Sequence, residues 1–395
     1  MPVSVILSDF TPMRLGEGIP QETLLRETAN VFALVQCAIQ KPESQEAANR
    51  ILIETREMVR HYGVSAGYIK QRQANAMENV EITDEEDDIY PDILPRPLQQ
   101  PRGLPISERM EKFRKAVNGL LEQHYADCGQ APDDIIHVSC TGYMSPSPVQ
   151  QFTVRNHWNN TIVTHNYHMG CYAAFPAVRS AQGFMAGSFA LGRPKSRIDI
   201  FHTEYCSLHL NFHRLTPNNI VNMTLFADGF MCYSAFSQDS FDAGRQNGLE
   251  ILSMAERLIP DSEQEMTWDL GENYFEMNLS PAVPFFIAEH IRDFVESLVA
   301  MAGYKLGDIK DDLLFAVHPG GPKILEHIRK RFQLAAEQMR FSWEILYENG
   351  NMSSVTVPYI WHAITCDDTI PKGKLVLSMA FGPGLTACGM LMEKV

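Results

Sequence analysis

The sequence has no C-x-x-C pair. Its eight cysteines (Cys37, Cys128, Cys140, Cys171, Cys206, Cys232, Cys366 and Cys388) stand at spacings that match neither a zinc site nor a disulfide framework. That pattern excludes the small stapled and metal-nucleated classes and predicts a reducing, cytoplasmic location. Basic charge is also scarce: 33 Lys and Arg against 48 Asp and Glu leave a formal net charge of -15, which argues against nucleic acid as a partner. No run approaches the ~18 apolar residues of a membrane span. The start, Met1-Pro2-Val3-Ser4-Val5, lacks the basic region and apolar stretch of a secretion signal, so no integral membrane segment is expected. Short-period repeats are missing as well. What is present is 395 residues with 45% hydrophobic content, enough for one large core or two ordinary ones.

Periodicity organises that material. A first strand is expected over 3–8 and helices over 22–40 and 44–61, the second with Ser44 as N-cap. The acidic tract 81–88 and the prolines after it predict an exposed crossing. A helix over 107–128, strands at 134–140 and 161–164, a helix over 171–187 and a strand at 197–203 then alternate as an α/β core does. A strand at 222–226, a hairpin-like turn at Asp228-Gly229 and a strand at 230–236 close a first half, with the polar stretch 237–247 as connector. The second half repeats the theme: helix 282–302, strand 313–317, helix 323–332, a turn at 349–352, helix 353–366, and strands 374–380 and 386–393.

Three turns carry candidate chemistry. Cys171 follows Gly170, which permits a sharp strand-to-helix turn, and the small Ala173, Ala174 and Ala177 allow the next helix to pack closely. A cysteine at a helix N-terminus is expected to be thiolate-prone, more so beside an imidazole. His318 ends an apolar strand and precedes Pro319-Gly320-Gly321-Pro322, while Asn351 lies in Gly350-Asn351-Met352-Ser353-Ser354. Each residue alone is as readily structural: a buried thiol, a turn-capping histidine, a turn-forming asparagine. Together, Cys, His and Asn can hold an acyl group as a thioester and stabilise an oxyanion beside it. His202, His209 and His213 lack the carboxylate company of a metal motif, so no metal is expected. Gly382-Pro383-Gly384 lacks the strand and helix context of a nucleotide loop.

The Gly170-Cys171 elbow, Leu225-Phe226-Ala227-Asp228-Gly229, His318-Pro319-Gly320-Gly321-Pro322, Gly350-Asn351-Met352-Ser353-Ser354 and Phe381-Gly382-Pro383-Gly384-Leu385-Thr386 occur in the order and at the spacing of one family. From about residue 106 to the C-terminus the chain resembles the type III polyketide synthases of the chalcone and stilbene synthase family. The resemblance implies a thiolase-like αβαβα five-layered sandwich built from two similar halves, 1–236 with the nucleophilic cysteine and 237–395 with the histidine and asparagine. It also implies a homodimer.

By the same resemblance Cys171 takes the acyl starter, and His318 and Asn351 hydrogen-bond the malonyl thioester oxygen as it decarboxylates. Phe226 matches an aromatic gatekeeper, Met277 a second gate position, Cys206, His209 and Thr141 the cavity wall, and Gly384 the loop that shapes the cavity. Arg60, Lys70 and Arg72 are the basic residues left where plant members meet the CoA phosphates. No permanently bound cofactor is implied, only acyl and malonyl thioesters on CoA or on the phosphopantetheine of an acyl carrier protein. The expected activity is an acyltransferase that extends a medium or long fatty acyl starter to an alkylpyrone or alkylresorcinol. Its rivals are a single-condensation or chain-joining ketosynthase using carrier-bound substrates and a catalytically silent scaffold of the same fold.

Overall fold

Nine strands make the large sheet of the computed structural model, which describes residues 4–81, 90–94, 101–242 and 247–395. In chain order they are β1 (Val5–Met13), β2 (Asp134–Ser139), β3 (Ile162–Tyr167), β4 (Arg197–Glu204), β5 (Gly229–Ser237), β6 (Leu249–Leu258), β7 (Leu314–Val317), β8 (Leu375–Gly382) and β9 (Thr386–Lys394). Their spatial order is β7-β8-β9-β6-β1-β5-β4-β2-β3.

That order contains a repeat. β2 and β4 are parallel, β4 and β5 antiparallel, and β5 and β1 antiparallel. β7 and β8 are likewise parallel, β8 and β9 antiparallel, and β9 and β6 antiparallel. The second half-sheet therefore repeats the first, without a counterpart of β3 among the described residues. The halves touch through a short antiparallel pairing, Ile6 with Glu250 and Leu7 with Leu249.

Alternation along the strands builds the layers, because successive side chains point to opposite faces. Ile136, Val138, Ile198, Ile200, Met231 and Tyr233 face one core together with Leu314, Ala316, Val376, Ala380 and Met390 from the other half. Helices Ala174–Ala190 and Thr356–Cys366 fill this shared middle layer. The intervening residues of the first half, Ile135, Phe201, Phe230 and Cys232, pack outward against helices Gln21–Gln40 and Ile106–His124. Those of the second, Phe315, Val317, Leu377, Met379 and Leu391, pack against helices Val283–Met301 and Pro322–Phe332. The result is the expected five-layered αβαβα sandwich of two similar halves.

Two expectations need correction. Residues 222–226 form no strand: Thr216 caps a helix over Pro217–Leu225, accepting from Asn219 N at 3.4 Å with Pro217 in the first turn. That cap-and-proline start outweighs the short apolar run that suggested a strand. Asp228-Gly229 is not a hairpin, because Asp228 is buried and accepts hydrogen bonds from Asn75 and Ser207. The connector holds a short helix, Gln238–Asp242, and residues 243–246 lie outside the described residues. The acidic tract, Glu81 apart, also lies outside them. Ser44 caps its helix as expected, accepting from Ala47 N at 3.2 Å.

Candidate active site

The repeat places the chemistry. Cys171 leaves β3 through a 3-10 turn, Gly170–Tyr172, into the central helix of the first half. Ser353 occupies the matching turn, Ser353–Val355, ahead of the central helix of the second. The two meet across the middle layer with Cys171 Sγ 3.9 Å from Ser353 Oγ. His318 follows β7 and extends its ladder, its amide donating to Met379 O at 2.8 Å. Asn351 is pinned to the gatekeeper segment, its N–H donating to Leu225 O at 3.0 Å while Ala227 N donates to Asn351 O at 2.8 Å. Its side-chain oxygen accepts from Ser353 N at 2.9 Å.

Burial works against the thiolate expected at a helix N-terminus. Burial pushes the Cys171 thiol up to about 12, against the stabilising contacts of Ser353 and Asn351. His318 is pushed down to about 3 by burial, and among the described residues neither ring nitrogen has a partner. The cause is burial, which penalises the charged form of each group.

A cavity of about 260 Å³ opens on Cys171 and Ser353. Thr141, Cys206, His209, Phe226 and Met277 line it, as the resemblance led one to expect, together with Cys140, Asn222, Trp268 and Phe275. Met277 comes from a hairpin of Met266–Leu270 and Phe275–Leu279 that covers the cavity. Gly384 does not line it; Pro383 does, and Gly384 supplies the turn behind with φ 84°. His318 and Asn351 are each 1% exposed, and the Asn351 side chain reaches the Cys171 sulfur.

His209 is fixed in one tautomer. Phe275 N donates to its Nδ1 at 3.1 Å, so Nε2–H donates to Thr141 O at 2.8 Å, and the ring stacks on Phe275. His202 is also engaged, by Ser354 and Tyr233.

Sequence reasoning gave no role to Glu204. It is fully buried and accepts from Cys140 N at 3.0 Å, from Thr141 Oγ1 at 3.3 Å and from Ser354 Oγ. Burial nevertheless raises its carboxyl to about 7. Since Ser354 donates to Glu204, His202 Nδ1 donates to Ser354 at 3.0 Å and accepts from Tyr233 OH through Nε2 at 3.2 Å. The available signal was an acidic residue ending an apolar strand that faces the core.

The basic residues divide. Arg60 is exposed on the last turn of helix Gln45–Tyr62, and Lys70 is exposed and paired with Glu348 at 3.0 Å. Arg72 is 2% exposed; Nε donates to Gln21 Oε1 at 2.7 Å and the guanidinium also bonds Phe226 O. A buried, fully engaged guanidinium holds the fold and is not free to meet a phosphate, which corrects its assignment as a CoA contact.

Comparison with known proteins points to the family that the sequence resembles. The model of the chalcone and stilbene synthases, C-terminal domain, matches residues 250–395. The chain is 26% identical to "Probable polyketide synthase 1" of Dictyostelium discoideum over 394 residues, covering 96% of this chain and 11% of that protein. It is 27% identical to "Type III polyketide synthase C" of Arabidopsis thaliana over 303 residues, covering 73% of this chain and 76% of that one. The chain thus spans about a tenth of the first relative and three quarters of the second. Among solved structures, PKS-I from the brown alga Ectocarpus siliculosus superposes with a TM-score of 0.81 at 20% identity, over 100% of this chain and 99% of that one.

Proposed function

Because the chain belongs among the type III polyketide synthases, we propose that it loads an acyl group on Cys171 and extends it with malonyl units. The observation that carries the proposal is the opening of Cys171 onto the cavity with Ser353 and Asn351 on its sulfur; His318, a buried imidazole without a partner among the described residues, is the base we assign to it. In loading, the Cys171 thiol passes its proton to His318, attacks the thioester carbonyl and expels the CoA thiol, which takes that proton back. A malonyl thioester then loses CO2. Its enolate oxygen takes hydrogen bonds from His318 Nε2 and the Asn351 amide, and its carbon attacks the Cys171 thioester, forming the new C–C bond and releasing the sulfur. The first half, 1–236, supplies the nucleophile; the second, 237–395, supplies the two donors.

The finer reading is a medium or long fatty acyl starter carried to a pyrone or resorcinol by a cytoplasmic homodimer. A flexible Met277 and a small Cys206 on the cavity wall support it, since both leave room for an alkyl chain. Arg60 and Lys70 are the cations we assign to the donor's phosphates, whether on CoA or on a carrier protein. Among the described residues no helix is long and apolar enough to cross a membrane.

The test is mass spectrometry of the products from malonyl-CoA with acyl-CoA starters from acetyl to palmitoyl, for wild type and Cys171→Ala. Tri- or tetraketides that need Cys171 are expected. A product of one condensation would instead favour the ketosynthase reading.

A further inference from the structure

Helix Pro217–Leu225 and the residue after it present one continuous face to the cavity: Asn218, Asn219, Asn222, Met223 and Phe226. The spacing is that of neighbours on a helix surface. The face runs from the half-exposed Asn218 and Asn219 to the buried Asn222, beside the gate residues Phe226 and Met277.

The amides on this face differ in how they are bound. Asn218 Nδ2 donates to Asn278 Oδ1 at 3.3 Å, and Asn219 Nδ2 donates to Asn211 O and Arg214 O at 2.7 Å. Asn222 is 7% exposed; its Nδ2 donates to Met277 O at 3.2 Å, and its Oδ1 has no partner among the described residues. Reversing the amide would set Oδ1 against the Met277 carbonyl oxygen, so the bond to Met277 fixes the oxygen as the free end. Among the described residues this is the only cavity-lining side chain with a buried polar atom left unpaired. Buried acceptors are almost always satisfied; this one lies unpaired just under the surface of the cavity wall, where a turn of the side chain as the cavity fills brings it to what the cavity takes in.

We propose that Asn222 Oδ1 is a specificity-determining acceptor that takes a hydrogen bond from an N–H or O–H of the acyl thioester where it passes between Phe226 and Met277. The donor has two sources, an amide of the thiol arm or a hydroxyl or enol on the growing chain. A purely aliphatic segment at this point leaves the carbonyl unpaired and is disfavoured. The inference rests on the type III polyketide synthase reading.

The test compares wild type with Asn222→Leu, which keeps the volume and removes the acceptor, and with Asn222→Ala in case Leu disturbs folding; thermal melts identify a variant that is merely unfolded. Cys171 acylation is followed by intact-protein mass spectrometry with hexanoyl-N-acetylcysteamine and with the amide-free S-pentyl hexanethioate, and products are profiled with malonyl-CoA. If the arm amide is the donor, the variants raise KM for the N-acetylcysteamine thioester about tenfold and leave the S-pentyl thioester unchanged. If the growing chain is the donor, loading is unchanged and products shift toward earlier release. Wild type that acylates and makes product, with folded variants matching it in both measurements, overturns the proposal. Wild type that never acylates Cys171 overturns the underlying function instead.

Discussion

Cys171 Sγ and Ser353 Oγ, 3.9 Å apart, join equivalent turns of the two halves, each ahead of a central helix. The nucleophile therefore faces the pseudo-symmetric copy of its own turn, and the second half has converted that copy into a hydrogen-bonding partner. The contact lowers the thiol's pKa, against the burial that pushes it up.

Thiol labelling reads this directly. With its thiol pushed up to about 12, Cys171 should alkylate slowly at pH 7, with a rate rising about tenfold per pH unit between pH 7 and 10. The exposed Cys366 should react first. Peptide-resolved iodoacetamide kinetics decide the matter: a plateau near neutrality would mean a preformed thiolate and imidazolium pair.

Glu204 gives a signed prediction for stability. Its carboxyl is raised from 4.5 to about 7, chiefly by burial, so the folded protein holds that proton more tightly than the unfolded chain. The stabilisation is complete below about pH 4.5 and is lost as pH rises through 7. Full loss amounts to at most about 3 kcal/mol. Urea melts of wild type should weaken from pH 5 to 8 by more than those of Glu204→Gln; parallel curves for the two proteins would reject the assignment.

Much of this arrangement was legible in the sequence, for identifiable reasons. Strand alternation in Leu314-Phe315-Ala316-Val317 and glycine-marked turns at Gly170 and Gly350 are local signals, and the strand ends at Cys171 and His318 followed from them. The helix Pro217–Leu225 was misread in part because the apolar Met223, Leu225 and Phe226 spoke louder than its Thr216-Pro217 start. The roles of Glu204 and Asn222 were hidden because burial and hydrogen-bond partners from distant segments create them. Arg72 was misplaced for the same reason: charge in a sequence is visible, while the Gln21 and Phe226 groups that hold it inside are not.

That difference among the basic residues is measurable. Arg72→Met removes bonds to Gln21 and Phe226 O and strips Asp228 of a neighbouring charge, so it should destabilise the protein by about 3 kcal/mol or more. Arg60→Ala should leave the urea midpoint unchanged and raise KM for malonyl-CoA most at low salt, as expected of an exposed cation facing phosphates. A stable Arg72→Met whose KM depends on salt would reverse the two assignments.

Gly170 sets where the nucleophile sits, and it does so under two separable constraints. Its φ of 79° lies in the left-handed region, and a Cβ there would fall 2.3 Å from Pro383 Cδ. Gly170→Ala therefore meets a backbone penalty of about 1 kcal/mol and a clash with a ring in the loop lining the cavity, together on the order of 2–4 kcal/mol. Pro383→Ala removes the ring and leaves the backbone penalty in place. The double variant should recover part of the lost melting temperature, and kcat should recover less than stability because the turn carrying Cys171 remains strained. A double-mutant cycle in both quantities tests this: strictly additive losses would mean that Pro383 does not confine the Cys171 turn.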